Sequence, residues 1–89
     1  MKFSLGQVVA TPGALEALAE AGQTPDFFLE MHVAGNWGNV DAEDKQANDQ
    51  ALVNGGRILS AYKTLKNKKL WVITEADHSS TCILKPDEY

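Results

Sequence analysis

At 89 residues, 44% of them hydrophobic, the chain has apolar material for one modest core and none for a second domain. Its net charge of −4 argues against a general nucleic-acid coat, and no stretch approaches the roughly 20 apolar residues that a membrane span requires. A single cysteine, Cys82, excludes an internal disulfide, so packing has to supply the stability and a reducing cytoplasm is the expected compartment.

Met1-Lys2-Phe3 imitates the start of a signal peptide, but Ser4, Gly6 and Gln7 interrupt the apolar run and Pro12-Gly13 end it, so secretion is not expected. Residues 3–9 read as a short strand or an extended arm. Thr11-Pro12 then starts a helix, a hydroxyl cap followed by proline at the first helical position, where its missing N–H costs nothing. Leu15, Leu18 and Ala19 give this helix an apolar stripe, and Gly22 ends it. Thr24-Pro25-Asp26 repeats the device for a second helix, whose buried side carries Phe28, Leu29, Met31, His32 and Val33 and whose stop is Gly35. Residues 35–39 form a loop around one large anchor, Trp37.

Asp41 caps a third helix, with Glu43 and Asp44 in its first turn complementing the dipole. Its contact stripe is narrow: Ala47, Ala51, Leu52 and Val53. From Arg57 the hydrophobic period changes to two, with Ile58, Ser60 and Tyr62 alternating with Leu59, Ala61 and Lys63. Residues 66–68 turn the chain, and two further strands are expected over residues 70–74 and 81–84. Helices first and strands afterwards predict a single α+β domain over residues 1–89. Two or three short N-terminal helices should pack on a three- to four-stranded antiparallel sheet, a C-terminal meander with the N-terminal strand as the fourth member.

Charge is unevenly spread. Residues 1–54 hold eight acids against Lys2 and Lys45, whereas residues 55–89 hold six bases against four acids. Lys63, Lys66, Lys68 and Lys69 crowd one short stretch. An acidic helical half and a mildly basic sheet half offer two different faces to partners. The plainer reading is ordinary solvation, with lysines blunting an exposed hairpin.

An acid, an imidazole and hydroxyls gather at the hairpin tip formed by Glu75, Asp77, His78, Ser79 and Ser80. A small catalytic site needs such groups, and so does a well-built turn. Asp77 and His78 are neighbours, so a regular strand would send them to opposite faces. Asp77 is also placed for an Asx-turn, its carboxylate accepting the N–H of Ser79. His32, on the inner side of the second helix, is either a core histidine bonded to a backbone carbonyl or a general base facing the sheet. Arg57, Ser60, Tyr62, Trp71, Thr74 and Thr81 come from three consecutive strands. On one face, arginine, tyrosine and hydroxyls could hold a phosphate and stack a base while His32 moved a proton. The candidate catalytic set is therefore His32, Arg57, Tyr62 and Thr81, and the candidate binding set is Trp37, Trp71, Asp77, His78 and Ser79.

No metal site is expected. Asp41, Glu43 and Asp44 lack an EF-hand spacing, and His32 and His78 stand 46 positions apart beside only one cysteine. The sequence has no P-loop, dinucleotide turn or nucleophile elbow, so no cofactor is expected either.

Four segments carry a resemblance: Val8-Val9-Ala10-Thr11-Pro12-Gly13-Ala14, His32-Val33-Ala34-Gly35-Asn36-Trp37-Gly38, Asn48-Asp49-Gln50-Ala51-Leu52, and Trp71-Val72-Ile73-Thr74-Glu75-Ala76-Asp77, together with residues 84–89. They resemble a family of small, largely uncharacterised bacterial proteins carried on plasmids and other mobile elements. Its members are labelled plasmid-related, or loosely associated with type I restriction systems. A methyltransferase subunit would need a cofactor-binding domain that 89 residues cannot hold. The resemblance implies arginine in most members where this chain has His78, and a hydroxyl residue where it has Cys82. An anion at that tip would then meet His78 only in its protonated form.

Small size, acidic balance, the exposed third helix and the missing cofactor motifs point to a cytoplasmic protein acting through contacts with a host or mobile-element protein, as an accessory or anti-defence factor. The alternative is a metal-independent ribonuclease or toxin of the barnase, EndoU and RelE type, acting on RNA through His32 with Arg57, Tyr62 or Thr81. Whether the chain is an enzyme stays open at this point. The two readings separate on whether His32 opens onto the same cleft as Arg57. Open sheet edges add a homodimer by edge pairing to the arrangements the sequence allows.

Overall fold

A computed structural model describes residues 2–89. In chain order its elements are strand β1 (Gln7–Ala10), helices α1 (Pro12–Ala21), α2 (Pro25–Val33) and α3 (Ala42–Asn54), strands β2 (Ile58–Lys63), β3 (Lys69–Thr74) and β4 (Ser80–Leu84), and a 3-10 turn (Pro86–Glu88). Local chemistry sets the helix boundaries. Thr11 Oγ1 accepts the N–H of Ala14 at 3.2 Å and Asp41 Oδ1 that of Asp44 at 2.8 Å, so α1 and α3 begin on side-chain caps. Thr24 takes the extended cap backbone before α2 without a side-chain bond. Gly22 closes α1 in the left-handed conformation, at φ 67°.

The four strands form one sheet in the order β1-β4-β3-β2. The expected meander is present, β2 pairing antiparallel with β3 and β3 with β4. The sheet as a whole is mixed rather than antiparallel, because β1 joins β4 in parallel. Its connections explain this. The chain leaves β1 through three helices and re-enters at the far edge as β2, and two hairpin reversals then return β4 beside β1 in the same sense. The first strand is also shorter than expected, and residues 3–6 instead form an arm whose Phe3 is buried.

Alternation along the strands places Ile58, Ser60, Tyr62, Leu70, Val72, Thr74, Thr81 and Ile83 on one buried face. All three helices cover that face, with α1 lying over β4, α2 over β3 and α3 against β2. The apolar core falls into two clusters. One joins Leu18, Phe28, Leu29, Tyr62, Leu70, Val72 and Ile83; the other joins Phe3, Trp37, Ala51 and Ile58. The helix stripes differ in detail from expectation. Helix α1 buries Ala14, Ala17 and Leu18 while Leu15 is 49% exposed, and α3 buries only Asn48 and Ala51 while Val53 is 82% exposed. The C-terminal segment lies on the opposite face of the sheet, where Tyr89 meets Trp71 edge-on at 5.7 Å.

The two sheet edges are treated differently. On β2, the residues directed away from β3 are Leu59, Ala61 and, at the strand's end, Lys63. The Asn48 side chain grips Leu59 twice, Nδ2 donating to its carbonyl at 2.7 Å and Oδ1 accepting its N–H at 3.0 Å. The loop after α2 takes Ala61, whose N–H reaches the Trp37 carbonyl at 3.0 Å and whose carbonyl accepts the N–H of Asn39 at 2.6 Å. Two of the three outward residues of this edge are thus occupied. Replacing Asn48 by alanine leaves a donor and an acceptor of Leu59 without partners, and should lower the unfolding free energy by about 1–3 kcal/mol in a urea titration.

Candidate functional site

One imidazole and three hydroxyls meet beneath α2, all fully buried. His32 Nδ1 lies 2.5 Å from Ser60 Oγ, and its Nε2 lies 2.9 Å from Thr74 Oγ1. Thr74 Oγ1 in turn lies 2.7 Å from Thr81 Oγ1, which donates to the Leu5 carbonyl at 2.7 Å. A carbonyl only accepts, so it fixes the direction of the chain as far as His32 Nε2. Thr81 uses its one hydrogen on Leu5, and Thr74 must therefore donate to Thr81. The Thr74 oxygen then accepts from His32 Nε2–H, which places a proton on Nε2. In the neutral imidazole Nδ1 carries no hydrogen and accepts from Ser60.

Electrostatics agrees with this assignment. Removal from water lowers the His32 pKa to about 4, well below the ordinary 6.5. The rings of Phe3 and Trp37 close round the imidazole edge-on, at centroid distances of 5.1 and 5.8 Å. The backbone-carbonyl partner expected for a core histidine is replaced by two side-chain hydroxyls.

Among the catalytic candidates, His32 and Thr81 are therefore brought together, but in a sealed chain rather than a cleft. Tyr62 shares the inner face, donates to the Asn36 carbonyl at 2.5 Å, and has its pKa pushed up by burial. Arg57 does not join them. Its guanidinium lies 5.5 Å from the centre of the Tyr89 ring, on the outer face with Trp71. The sheet separates His32 from Arg57. Trp37 is the buried anchor its loop implied, with Nε1 donating to Asp49 at 3.1 Å.

The hairpin tip is built as a turn. Asp77 Oδ1 accepts the N–H of Ser79 at 3.0 Å, the expected Asx-turn, and hydrogen bonding from Ser79 holds the Asp77 carboxyl below its usual range. His78 sits in the left-handed region at φ 58°, its N–H donating to the Glu75 carbonyl at 2.8 Å. The His78 ring leans on Phe3 at 5.6 Å, and its Nε2 is enclosed without a hydrogen-bond partner among the described residues. The Ser79 carbonyl receives the N–H of Gln7 at 3.0 Å, so the tip starts the pairing of β1. Among the described residues no group of three or more acids, histidines or cysteines is arranged to hold a metal, and no helix is long and apolar enough to cross a membrane.

What the tip starts is the more open of the two edges. Gln7 and Thr11 donate to the Ser79 and Ile83 carbonyls, both at 3.0 Å, which in this parallel register aims Gln7, Val9 and Thr11 at β4. The N–H and C=O of Val8 and Ala10 consequently turn outward, and no described residue bonds them. Beside them Leu5, Val8, Leu29 and Val33 line a groove of about 310 Å³, whose remaining lining is the acidic pair Asp26 and Glu30. Open edges follow from a small sheet in general. Which edge is open does not, because Asn48 carries no motif and its role depends on where α3 docks.

Comparison of the chain with protein-family models, curated proteins and solved structures finds no match. Geometry is therefore the basis for assigning a role.

The neutral histidine has a consequence for stability. The unfolded chain takes up a proton near pH 6.5 and folded His32 only near pH 4, so the unfolded state binds more protons in between. Stability should be fully present above that window and fall as the pH drops through it, by up to about 3 kcal/mol. Urea titrations from pH 7.5 to 4.5 should show this slope, and His32→Gln should flatten it relative to the parent protein.

Proposed function

We propose that this chain is a small protein-binding domain, an accessory or anti-defence factor of a mobile element that acts through contacts rather than through chemistry at His32. The observation that carries this reading is the contrast between the sheet edges. Two of the three outward residues of β2 are bonded by Asn48, Trp37 and Asn39, while β1 presents unpaired backbone beside an apolar groove. An unpaired edge with apolar surface beside it is a surface on which another chain can be added. The resemblance to proteins of plasmids and other mobile elements supplies the setting.

The ribonuclease reading asks for a base and a cation at one phosphate. Here the imidazole is fully buried with both nitrogens bonded, and Arg57 lies across the sheet from it. Reaching RNA would require α2 to lift from β3 and break the chain that ends at Leu5.

Two measurements made together test the proposal. Affinity capture from bacterial lysate should recover a stoichiometric protein partner, and incubation with structured and single-stranded RNA should leave the RNA intact. RNA cleavage that is lost in His32→Gln, with no partner recovered, would overturn it.

A further inference from the structure

The geometry points to a specific occupant for the β1 edge: we infer that an extended peptide segment bearing an apolar and a basic side chain two residues apart, on one face, pairs with Val8 and Ala10 as a fifth strand. The inference rests on the protein-binding reading and adds the site and the chemistry of the partner. Pairing would satisfy the two N–H and two C=O groups that β1 turns outward. Alternate side chains of an added strand point to opposite faces, so one set enters the helix-covered side, where Leu5, Val8, Leu29 and Val33 form the apolar part of the groove.

Charge selects the partner. Asp26 and Glu30 stand one helical turn apart on α2 and line the same groove. Neither is ion-paired within the described residues, and both are exposed. A lysine or arginine two residues from the inserted apolar residue shares its face and would meet this pair, while an acidic segment would be repelled. The same pair argues against a second copy of this chain. Two β1 edges related by a two-fold axis, with their helices on the same side, would bring Asp26 and Glu30 of one copy toward those of the other. On the second copy's β2 edge Asn48 and the loop residues occupy Leu59 and Ala61, which leaves only the terminal Lys63 and too little for strand pairing.

The probes are two fluorescein-labelled decapeptides, a valine–lysine peptide repeating Val-Thr-Lys-Thr and a valine–glutamate peptide repeating Val-Thr-Glu-Thr, titrated against the full chain by fluorescence polarisation. The valine–lysine peptide should bind, and the amides of Val8 and Ala10 should gain protection from hydrogen exchange. N-methylation of alternate peptide bonds in the probe, which leaves the protein untouched, should weaken binding by about tenfold or more in one of its two phases and little in the other. Asp26→Lys with Glu30→Lys, both at exposed positions, should exchange the preference toward the valine–glutamate peptide.

Binding indifferent to N-methylation, no binding of either peptide, or a concentration-dependent dimer that masks Val8 and Ala10 would overturn the inference. A lysate partner retained at full strength by the Asp26→Lys, Glu30→Lys variant would remove this docking mode while leaving the protein-binding reading intact.

Discussion

The directional hydrogen-bond chain through His32 is the constraint on which the rest of the structure depends. It connects helix α2 to β2 through Ser60, to β3 through Thr74, to β4 through Thr81 and to the N-terminal arm through the Leu5 carbonyl. Each bond alone contributes about 1 kcal/mol net, but removing any member leaves buried partners unsatisfied at a larger cost. Apolar side chains in the same place would pack at several helix positions. A chain whose donors and acceptors are fixed in order accepts one, and so sets where α2 and the arm lie on the sheet. The groove beside β1 is a product of that placement, since its walls are the arm's Leu5, the strand's Val8 and α2's Leu29 and Val33.

Edge protection follows a similar logic with fewer parts. A carboxamide carries a donor and an acceptor, and Asn48 uses both on one residue of β2, much as a neighbouring strand would. The loop around Trp37 then continues the pairing at Ala61, and burial of the indole holds that loop in place. Alanine at position 51, one turn along α3, keeps the helix close enough for the amide to reach. The weak apolar stripe of α3 is thus explained by its task, which is to cover an edge rather than to fill a core.

Much of this was legible in the sequence, and the failures are instructive. Thr11-Pro12, Thr24-Pro25 and Asp41 mark three helix starts correctly, because the signals are local: cap bonds between residues three apart at Thr11 and Asp41, and proline at the first helical position after Thr24. The period-two tract from Ile58 gave the meander, and Asp77 with Ser79 gave the turn. The parallel pairing of β1 was not readable, since a strand's sense depends on the path of everything between it and its neighbour. Leu15 was assigned to the α1 stripe and is half exposed, because helical spacing gives a face without saying which side of that face meets the sheet. The candidate site divided for a comparable reason. Ser60, Thr74 and Thr81 share a face that their alternation implies, but that His32 would reach between Ser60 and Thr74 depends on how α2 sits over β3.

The C-terminal segment shows why the open edge is also an ordered one. The Glu88 carboxylate accepts from Thr11 Oγ1 at 2.6 Å, from the N–H of Gly13 at 3.2 Å and from that of Lys85 at 2.8 Å. These bonds hold the Glu88 carboxyl below its usual range, led by the one from Thr11. They also fasten the junction where β1 passes into α1, immediately after the outward-facing Ala10. At its other end β1 is held by the Gln7 bond to the hairpin tip. An exposed strand of four residues would ordinarily fray. This one is anchored at both ends and paired along one side, so little of the chain's own freedom remains to be lost when a partner strand arrives. The ordering cost of pairing then falls mainly on the incoming segment, which suits a short edge that offers few hydrogen bonds to an extended ligand.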